Sequence, residues 1–182
     1  MIEKPRTQRN RMHLAMIFCV AAASLIGAYT LFSLARTMGV WGTTNNGEFV
    51  RPSLTVADLV LVDALGNQPT AGPTWWLWVS AAERCGAGCR DALHQLRQLH
   101  VLLNKDAPRL RRMLVTGSGF PAQTLLADYP DMQHLEAAGG QLRDGIYIVD
   151  PIGNLVFYYS FAEAGKPVLE DLRQLLKVSQ IG

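Results

Sequence analysis

Apolar and polar positions follow different rhythms along this chain, and the rhythm marks the elements. Residues 14–35, LAMIFCVAAASLIGAYTLFSLA, carry no charge over 22 residues. A helix of that length rises about 33 Å, enough to cross a hydrocarbon core of about 30 Å. Downstream, 59–63 is a short apolar run, Gly66 and Asn67 supply a turn, and 68–71 reads as the return strand of a hairpin. Trp75, Trp76, Leu77, Trp78 and Val79 form an unbroken apolar run of the length and residue type of a strand buried on both faces.

Helical spacing follows. Leu93, Leu96, Leu99, His100 and Leu103 share one side of a helix, and Asn104 and Pro108 bracket its end. Residues 113–115 are a short strand closed by Gly117-Ser118-Gly119, and 121–127 and 131–138 read as two short helices around Pro130. Residues 145–150, the turn 151–154 and residues 155–159 form a second hairpin. Pro167 opens a closing helix with Val168, Leu169, Leu172, Leu175 and Leu176 on its apolar side. Strand, helix, strand, helices, hairpin, helix is the order of an α/β sandwich, a mixed sheet flanked by helices. Its topology looks like a thioredoxin-like domain with an N-terminal β-hairpin, preceded by one transmembrane helix.

Charge sharpens the picture of the first segment. Residues 1–13 hold Lys4, Arg6, Arg9 and Arg11 against Glu3, a net of +3, while the remainder carries 13 basic and 14 acidic residues. The heavier positive end of the apolar segment is the one expected to stay in the cytoplasm. The chain therefore divides into a cytoplasmic tail (1–13), a transmembrane helix (14–35), a linker (36–55) and an extracytoplasmic domain (56–182). A cleaved signal peptide is the competing reading, with Ser33-Leu34-Ala35 as the small-residue site, but signal apolar cores usually run only about 7–15 residues. The near-neutral domain lacks the basic face that nucleic acid requires. The basic cluster Lys105, Arg109, Arg111 and Arg112 reads as a solvated helix end leading into a strand. Trp75, Trp76 and Trp78 read as core and sheet face, and Asp128, Asp131 and Glu136 as solvated acids.

Two of the three cysteines lie outside the apolar segment, in Arg84-Cys85-Gly86-Ala87-Gly88-Cys89. Four residues apart at the mouth of a helix, their Cα atoms are expected about 6 Å apart, within disulfide range. They follow the C-terminal end of a central strand, where open α/β sheets place their sites. The helix N-terminus and Arg84 both favour a thiolate. Three readings stand together. The first is dithiol–disulfide exchange, with Cys85 attacking because it is nearer the loop. The second is two-thiolate binding of a soft metal such as Cu(I). The third is a structural disulfide, although closing so short a loop removes little chain entropy. Cys19, inside the apolar span, reads as inert packing.

These features resemble the Sco/SenC family, thioredoxin-fold proteins tethered to the membrane that assist copper insertion into cytochrome c oxidase. The resemblance rests on the single anchor, the run Leu61-Val62-Asp63 to Gly66, the buried strand leading into C-x3-C, and Tyr147-Ile148-Val149-Asp150-Pro151-Ile152-Gly153. It implies a thioredoxin-like fold, an inner-membrane location with the domain in the periplasm, contact with the lipid bilayer through 14–35, and oxidase subunits or other assembly factors as partners, while the charge balance argues for no nucleic acid. It also implies Cys85 and Cys89 as the redox or copper-binding pair. This chain departs from the family in two ways. Gly86 and Arg90 stand where prolines commonly follow the cysteines. Leu142 stands where a histidine would supply the third copper ligand, five residues before Tyr147. Outside the tail the histidines are His94, His100 and His134. The first two fall on the helix after Cys89, and His134 reaches the site only if its loop folds back. Two other functions fit the same residues: a general extracytoplasmic thiol–disulfide oxidoreductase, and a non-catalytic scaffold with its cysteines locked together.

Overall fold

The computed structural model describes residues 6–37, 44–69, 72–137 and 142–179. The chain forms two compact units, Met1–Thr44 and Asn45–Gly182. The first holds helix α1 (Arg6–Thr37). Within it, Asn10–Thr37 has a mean hydropathy of 2.1 and none of it is buried in protein, so the helix is long and apolar enough to cross a membrane. The hydroxyls that interrupt its apolar surface are satisfied locally: Ser24 donates to the Ala21 carbonyl and Thr30 to the Gly27 carbonyl.

The second unit is built on a seven-stranded mixed sheet. Its strands are β1 (Glu48–Phe49), β2 (Leu61–Val62), β3 (Trp75–Ala81), β4 (Leu110–Gly117), β5 (Met132–Ala137), β6 (Gly145–Val149) and β7 (Leu155–Tyr159), in the spatial order β1-β7-β6-β3-β4-β5-β2. Helices α2 (Ala87–Leu102), α3 (Ala122–Leu126) and α4 (Lys166–Val178) complete it. β3 is parallel to β4 on one edge and antiparallel to β6 on the other. Both its faces are covered, which is why its sequence does not alternate. Leu77, Val79 and Ala81 enter a core shared with Leu93, Leu96 and Leu99 of α2 and with Val168 and Leu172 of α4. Trp78 enters a second core with Met113, Leu135, Tyr147 and Val149. Each fully buried Leu, Val or Met side chain among them contributes roughly 1.5–3 kcal/mol.

Four expectations from the sequence are revised. The hairpin over 59–71 does not form. The turn is present, with Asp63 accepting from the Leu65 and Asn67 amides at 2.8 Å each, but Leu61 and Val62 pair antiparallel with Ala137 and Glu136 of β5. Gln68 and Pro69 are not strand, and 70–71 lie outside the described residues. Proline has no N–H to give a ladder, whereas the outer edge of β5 offers unpaired donors and acceptors. Of the helix expected over 131–138, residues 132–137 are strand β5, running parallel to β4 from Arg112↔Met132 to Gly117↔Ala137, and 138 lies outside the described residues. The open edge of β4 outweighs the modest helix preference of Met, Leu and Glu. The basic cluster is not uniformly solvated. Strand alternation puts Arg112 on the same side as Leu110 and Leu114, leaving it 7% exposed, and Arg109 donates to the carbonyls of Leu176 and Ser179 at 2.8 Å each. Of the segment expected as linker (36–55), Arg36 and Thr37 end α1, 38–43 lie outside the described residues, and Asn45 onward belongs to the sheet unit, with β1 paired to β7.

Asp171 of α4 fixes where the chain enters that unit. It is 2% exposed, and its carboxylate accepts from the Asn46 amide (3.0 and 2.8 Å), the Gly47 amide (2.9 Å) and the Tyr159 hydroxyl (2.6 Å). Burial and the neighbouring Asp171 carboxylate push the Tyr159 phenol far above its ordinary value, so it stays a donor. Position 47 admits only glycine, since a Cβ there would meet the Tyr159 ring at 2.5 Å. Asp171→Ala strands these buried donors and is expected to cost about 3 kcal/mol or more of stability, read from urea unfolding followed by tryptophan fluorescence. Asp171→Asn, which keeps the shape and one acceptor, loses less.

Candidate functional site: a disulfide at the mouth of α2

β3 ends at Ala81, and the chain reaches the N-terminus of α2 through Ala82–Gly86 without regular structure. Both sides of that loop are pinned. The Ala82 amide donates to Asp144 Oδ1 and the Gly117 amide donates to the Ala82 carbonyl, each at 2.8 Å. Gly86 occupies the N-cap of α2, and its carbonyl accepts from the Arg90 amide at 3.1 Å. Cys85 and Cys89 face each other across this first turn. Their Cα atoms are 5.1 Å apart and their sulfurs are bonded. Cys85 is 7% exposed and Cys89 is 2% exposed, both at the margin of the core beneath α2. The unsatisfied amides of the helix N-terminus favour negative charge on sulfur when the bond is reduced.

Cys85 lies at the side of a cleft of about 520 Å³. Apolar surface from Phe120, Pro121, Leu125 and Tyr129 forms one wall, and Glu83, Arg84, Arg90 and Asp128 bring charges of both signs. Asp128, exposed as read from sequence, lines the same cleft as Cys85, and α3 and the loop before it supply part of that lining. The sequence signal for that wall is positional. Gly117-Ser118-Gly119-Phe120 follows the parallel neighbour of β3, so it must emerge at the same end of the sheet as the cysteines.

The histidines do not join the sulfurs. His94 is exposed and lies 3.0 Å from the Gln98 amide nitrogen. His100 is half-buried, and burial together with the nearby Arg112 guanidinium holds its pKa below the ordinary histidine value. His134 is carried on β5, in hydrogen-bond contact with Thr116 Oγ1 at 2.8 Å, and burial lowers its pKa too. Among the described residues no group of three or more His, Cys, Asp and Glu side chains is gathered to hold a metal ion. Leu142, at the position of the histidine expected by resemblance, is 7% exposed. The donor set is thus two sulfurs. Once reduced they suit Cu(I), and they do not fit Cu(II), which favours nitrogen and oxygen in tetragonal geometry.

A four-stranded β7-β6-β3-β4 core, a helix launched from the end of its central strand, and a cysteine pair on that launch point define a thioredoxin-like domain. The chain belongs to the transmembrane-like, thioredoxin-like, C-terminal domain family, whose model matches residues 75–179. Comparison with curated proteins finds no match. Among solved structures, apo Sco1 from Thermus thermophilus is similar, with 18% identity and a TM-score of 0.54, covering 74% of this chain and 99% of that one. Yeast Sco1 is similar at 18% identity and a TM-score of 0.52, covering 65% of this chain and 95% of that one. BsSco, described as a member of the Sco family of cytochrome c oxidase assembly proteins with a disulfide switch, matches at 12% identity and a TM-score of 0.50, covering 76% and 99%. At these identities the likeness establishes the fold.

Two outcomes follow from the local geometry. A Cβ at position 117 would sit 2.3 Å from the Ala82 carbonyl oxygen, whereas one at 88 would meet Phe161 at 3.8 Å, an ordinary contact. Gly117→Ala should therefore cost about 1–3 kcal/mol by pushing the cysteine loop off β4, while Gly88→Ala should add about 0.4–1 kcal/mol by stiffening the first turn of α2, both measured by urea unfolding. The second outcome concerns acid. His100 and His134 have folded pKa values below the unfolded value of about 6.5, so the unfolded state takes up protons first. Their contribution is complete above about pH 6.5 and is lost as pH falls through the lowered folded values. The double variant His100→Gln/His134→Gln should show a flatter fall in stability between about pH 6.5 and 5.

Proposed function

We propose that this protein is a membrane-anchored, Sco-like thioredoxin-fold factor that assists cytochrome c oxidase assembly by thiol–disulfide exchange at Cys85 and Cys89. In this reading residues 1–13 lie in the cytoplasm, 14–35 cross the inner membrane, and the remaining chain, with the sheet unit, works in the periplasm. The tail's positive charge supports that orientation. The oxidase role is supported by the fold shared with BsSco, itself described as belonging to a family of oxidase assembly proteins.

The observation that carries the reading is the Cys85–Cys89 bond, closed over one helical turn and bordered by a cleft on the Cys85 side. In the forward direction the reduced Cys85 thiolate attacks a disulfide sulfur of the partner, forming a mixed disulfide and releasing one partner thiolate. Cys89, as thiolate, then attacks Cys85 Sγ, and the second partner thiol leaves. The partner gains two electrons and two protons, and this chain ends as the disulfide seen here. A dithiol donor in the same compartment must restore the reduced form. An oxidase subunit whose metal-binding cysteines have become oxidised is the partner this chemistry serves.

The same two sulfurs favour a second reading, Cu(I) carried as cargo between two thiolates. Under this reading Cys85 and Cys89 are the metal ligands. A strain lacking the protein should regain cytochrome oxidase activity with the wild-type chain and remain at the deletion level with Cys85→Ser/Cys89→Ser. The wild-type pair should have a reduction potential above about −300 mV. Uptake of one equivalent of Cu(I) by the anaerobically reduced protein, absent from the double variant, would select the cargo reading over exchange. Normal oxidase activity in the deletion strain, with slowed disulfide exchange in unrelated periplasmic proteins, would indicate a general oxidoreductase. Full rescue by the double-serine chain would leave only a scaffold and sink the proposal.

A further inference from the structure

The disulfide uses one face of the sheet, and the other face holds a larger cavity. Trp78, Met113, Leu135 and Val149 turn away from α2 and α4 into the second core. Between that face and residues 63–69 lies a cavity of about 820 Å³. Its volume falls within the roughly 300–1,000 Å³ of small-molecule sites. Strand register builds its floor: Trp76 stands beside Arg111, and Trp78 beside Met113, on the parallel strands β3 and β4. Two rungs of the ladder therefore present indole, thioether and one guanidinium together. Trp76 is half-buried, so part of its ring faces the opening. The three tryptophans, read from sequence as core and sheet face, are divided by the strand's alternation: Trp75 joins the α2-side core while Trp76 and Trp78 line this cavity.

The sign of the ligand follows from which polar groups are already occupied. Two carboxylates border the cavity, and both are turned into their own loops. Asp63 accepts from the Leu65 amide, the Asn67 amide and the Asn67 side chain at 2.8, 2.8 and 3.2 Å. Asp150 accepts from the Ile152 amide, the Asn154 amide and the Asn154 side chain at 3.0, 2.8 and 2.7 Å. His134 is engaged with Thr116. The Arg111 side chain is exposed and has neither an ion pair nor a hydrogen bond among the described residues. The Trp78 indole N–H, closed to water in the cavity wall, also lacks an acceptor. Among the charged side chains that line the cavity, the uncommitted one is thus the Arg111 guanidinium, a donor with a full positive charge.

We propose that this cavity is a second binding site, separate from the cysteines, for a planar aromatic anion. Its ring lies against Trp76 and Met113, and its acid group pairs with Arg111. Indole faces favour offset stacking with a flat ring, and a guanidinium matches a carboxylate in two parallel hydrogen bonds.

Equilibrium dialysis of naphthalene-2-carboxylate against the full chain in nanodiscs of zwitterionic lipid, with empty nanodiscs as blank, tests this. The expected result is one saturable site per chain. Arg111→Glu should weaken it at least about tenfold by removing the charge-assisted contact, and Cys85→Ser/Cys89→Ser should leave it unchanged. Because Arg111 is exposed, an unaltered unfolding midpoint in Arg111→Glu shows that the variant is folded. No saturable uptake above the blank would overturn the proposal. So would equal affinity in Arg111→Glu, or loss of binding in the double-serine chain, which would move the site to the disulfide. Tighter binding of naphthylmethylammonium than of the carboxylate would overturn it as well, because Asp63 and Asp150 would then set the sign.

Discussion

Strand β3 is hydrogen-bonded to β4 along one edge and to β6 along the other, and side chains cover both its faces. Everything functional hangs on that placement. A central strand cannot slide without breaking two ladders and exposing Leu77, Trp78 and Val79 together, each at most 2% exposed. Its end is therefore fixed, and the loop carrying Cys85 starts from a fixed point. The Gly117 and Asp144 contacts to Ala82 extend this control one residue past the strand. Helix α2 can then begin only where its apolar side, from Cys89 through Ala92, Leu93, Leu96 and Leu99, settles on the sheet. The two sulfurs meet because strand end and helix start are both determined.

The two faces of the sheet have different characters for the same reason. One is closed by long amphipathic helices, which leave room only at the strand ends, where Cys85 borders its cleft. The other is covered by loops and short strands of the N-terminal part, and loops do not fill space as completely as helices do. Local turns spend Asp63 and Asp150 on their own backbone amides, so those loops are held by internal hydrogen bonds as well as by packing on the sheet. Asp171 plays a comparable part where the chain enters the unit. One buried carboxylate gathers two backbone amides and a tyrosine hydroxyl, and a buried charge is tolerable only when it is so fully surrounded.

Burial also bears on the chemistry of the cysteines. Cys85 and Cys89 are 7% and 2% exposed, and Cys85 lines the cleft beside α3. The mixed charges and aromatic wall make the cleft selective by shape more than by net charge. Two sulfurs at a helix N-terminus, without an imidazole gathered beside them among the described residues, form a site suited to electron and thiol chemistry and to soft, low-coordinate metal.

The legible parts of the sequence were those whose local pattern and tertiary role agree. The uncharged run of α1, the solid apolar block of β3, the spacing of Leu93, Leu96 and Leu99, the C-x3-C pair between them, and the β6–β7 hairpin around Asp150 and Gly153 were all determined by the chain itself. Each buries a face that its own periodicity defines. Residues 132–137 were illegible because Met, Leu, Glu and Ala are good helix formers by themselves, while the unpaired edge of β4 takes them as a strand through hydrogen bonds that local propensity does not contain. The pairing of β2 with β5, the burial of Arg112, the convergence of Asn46 and Tyr159 on Asp171, and the cleft wall of Phe120 and Tyr129 were likewise decided only by the tertiary structure. In each case the partner lies far along the chain, so the satisfied hydrogen bond or covered surface does not exist until the sheet has closed.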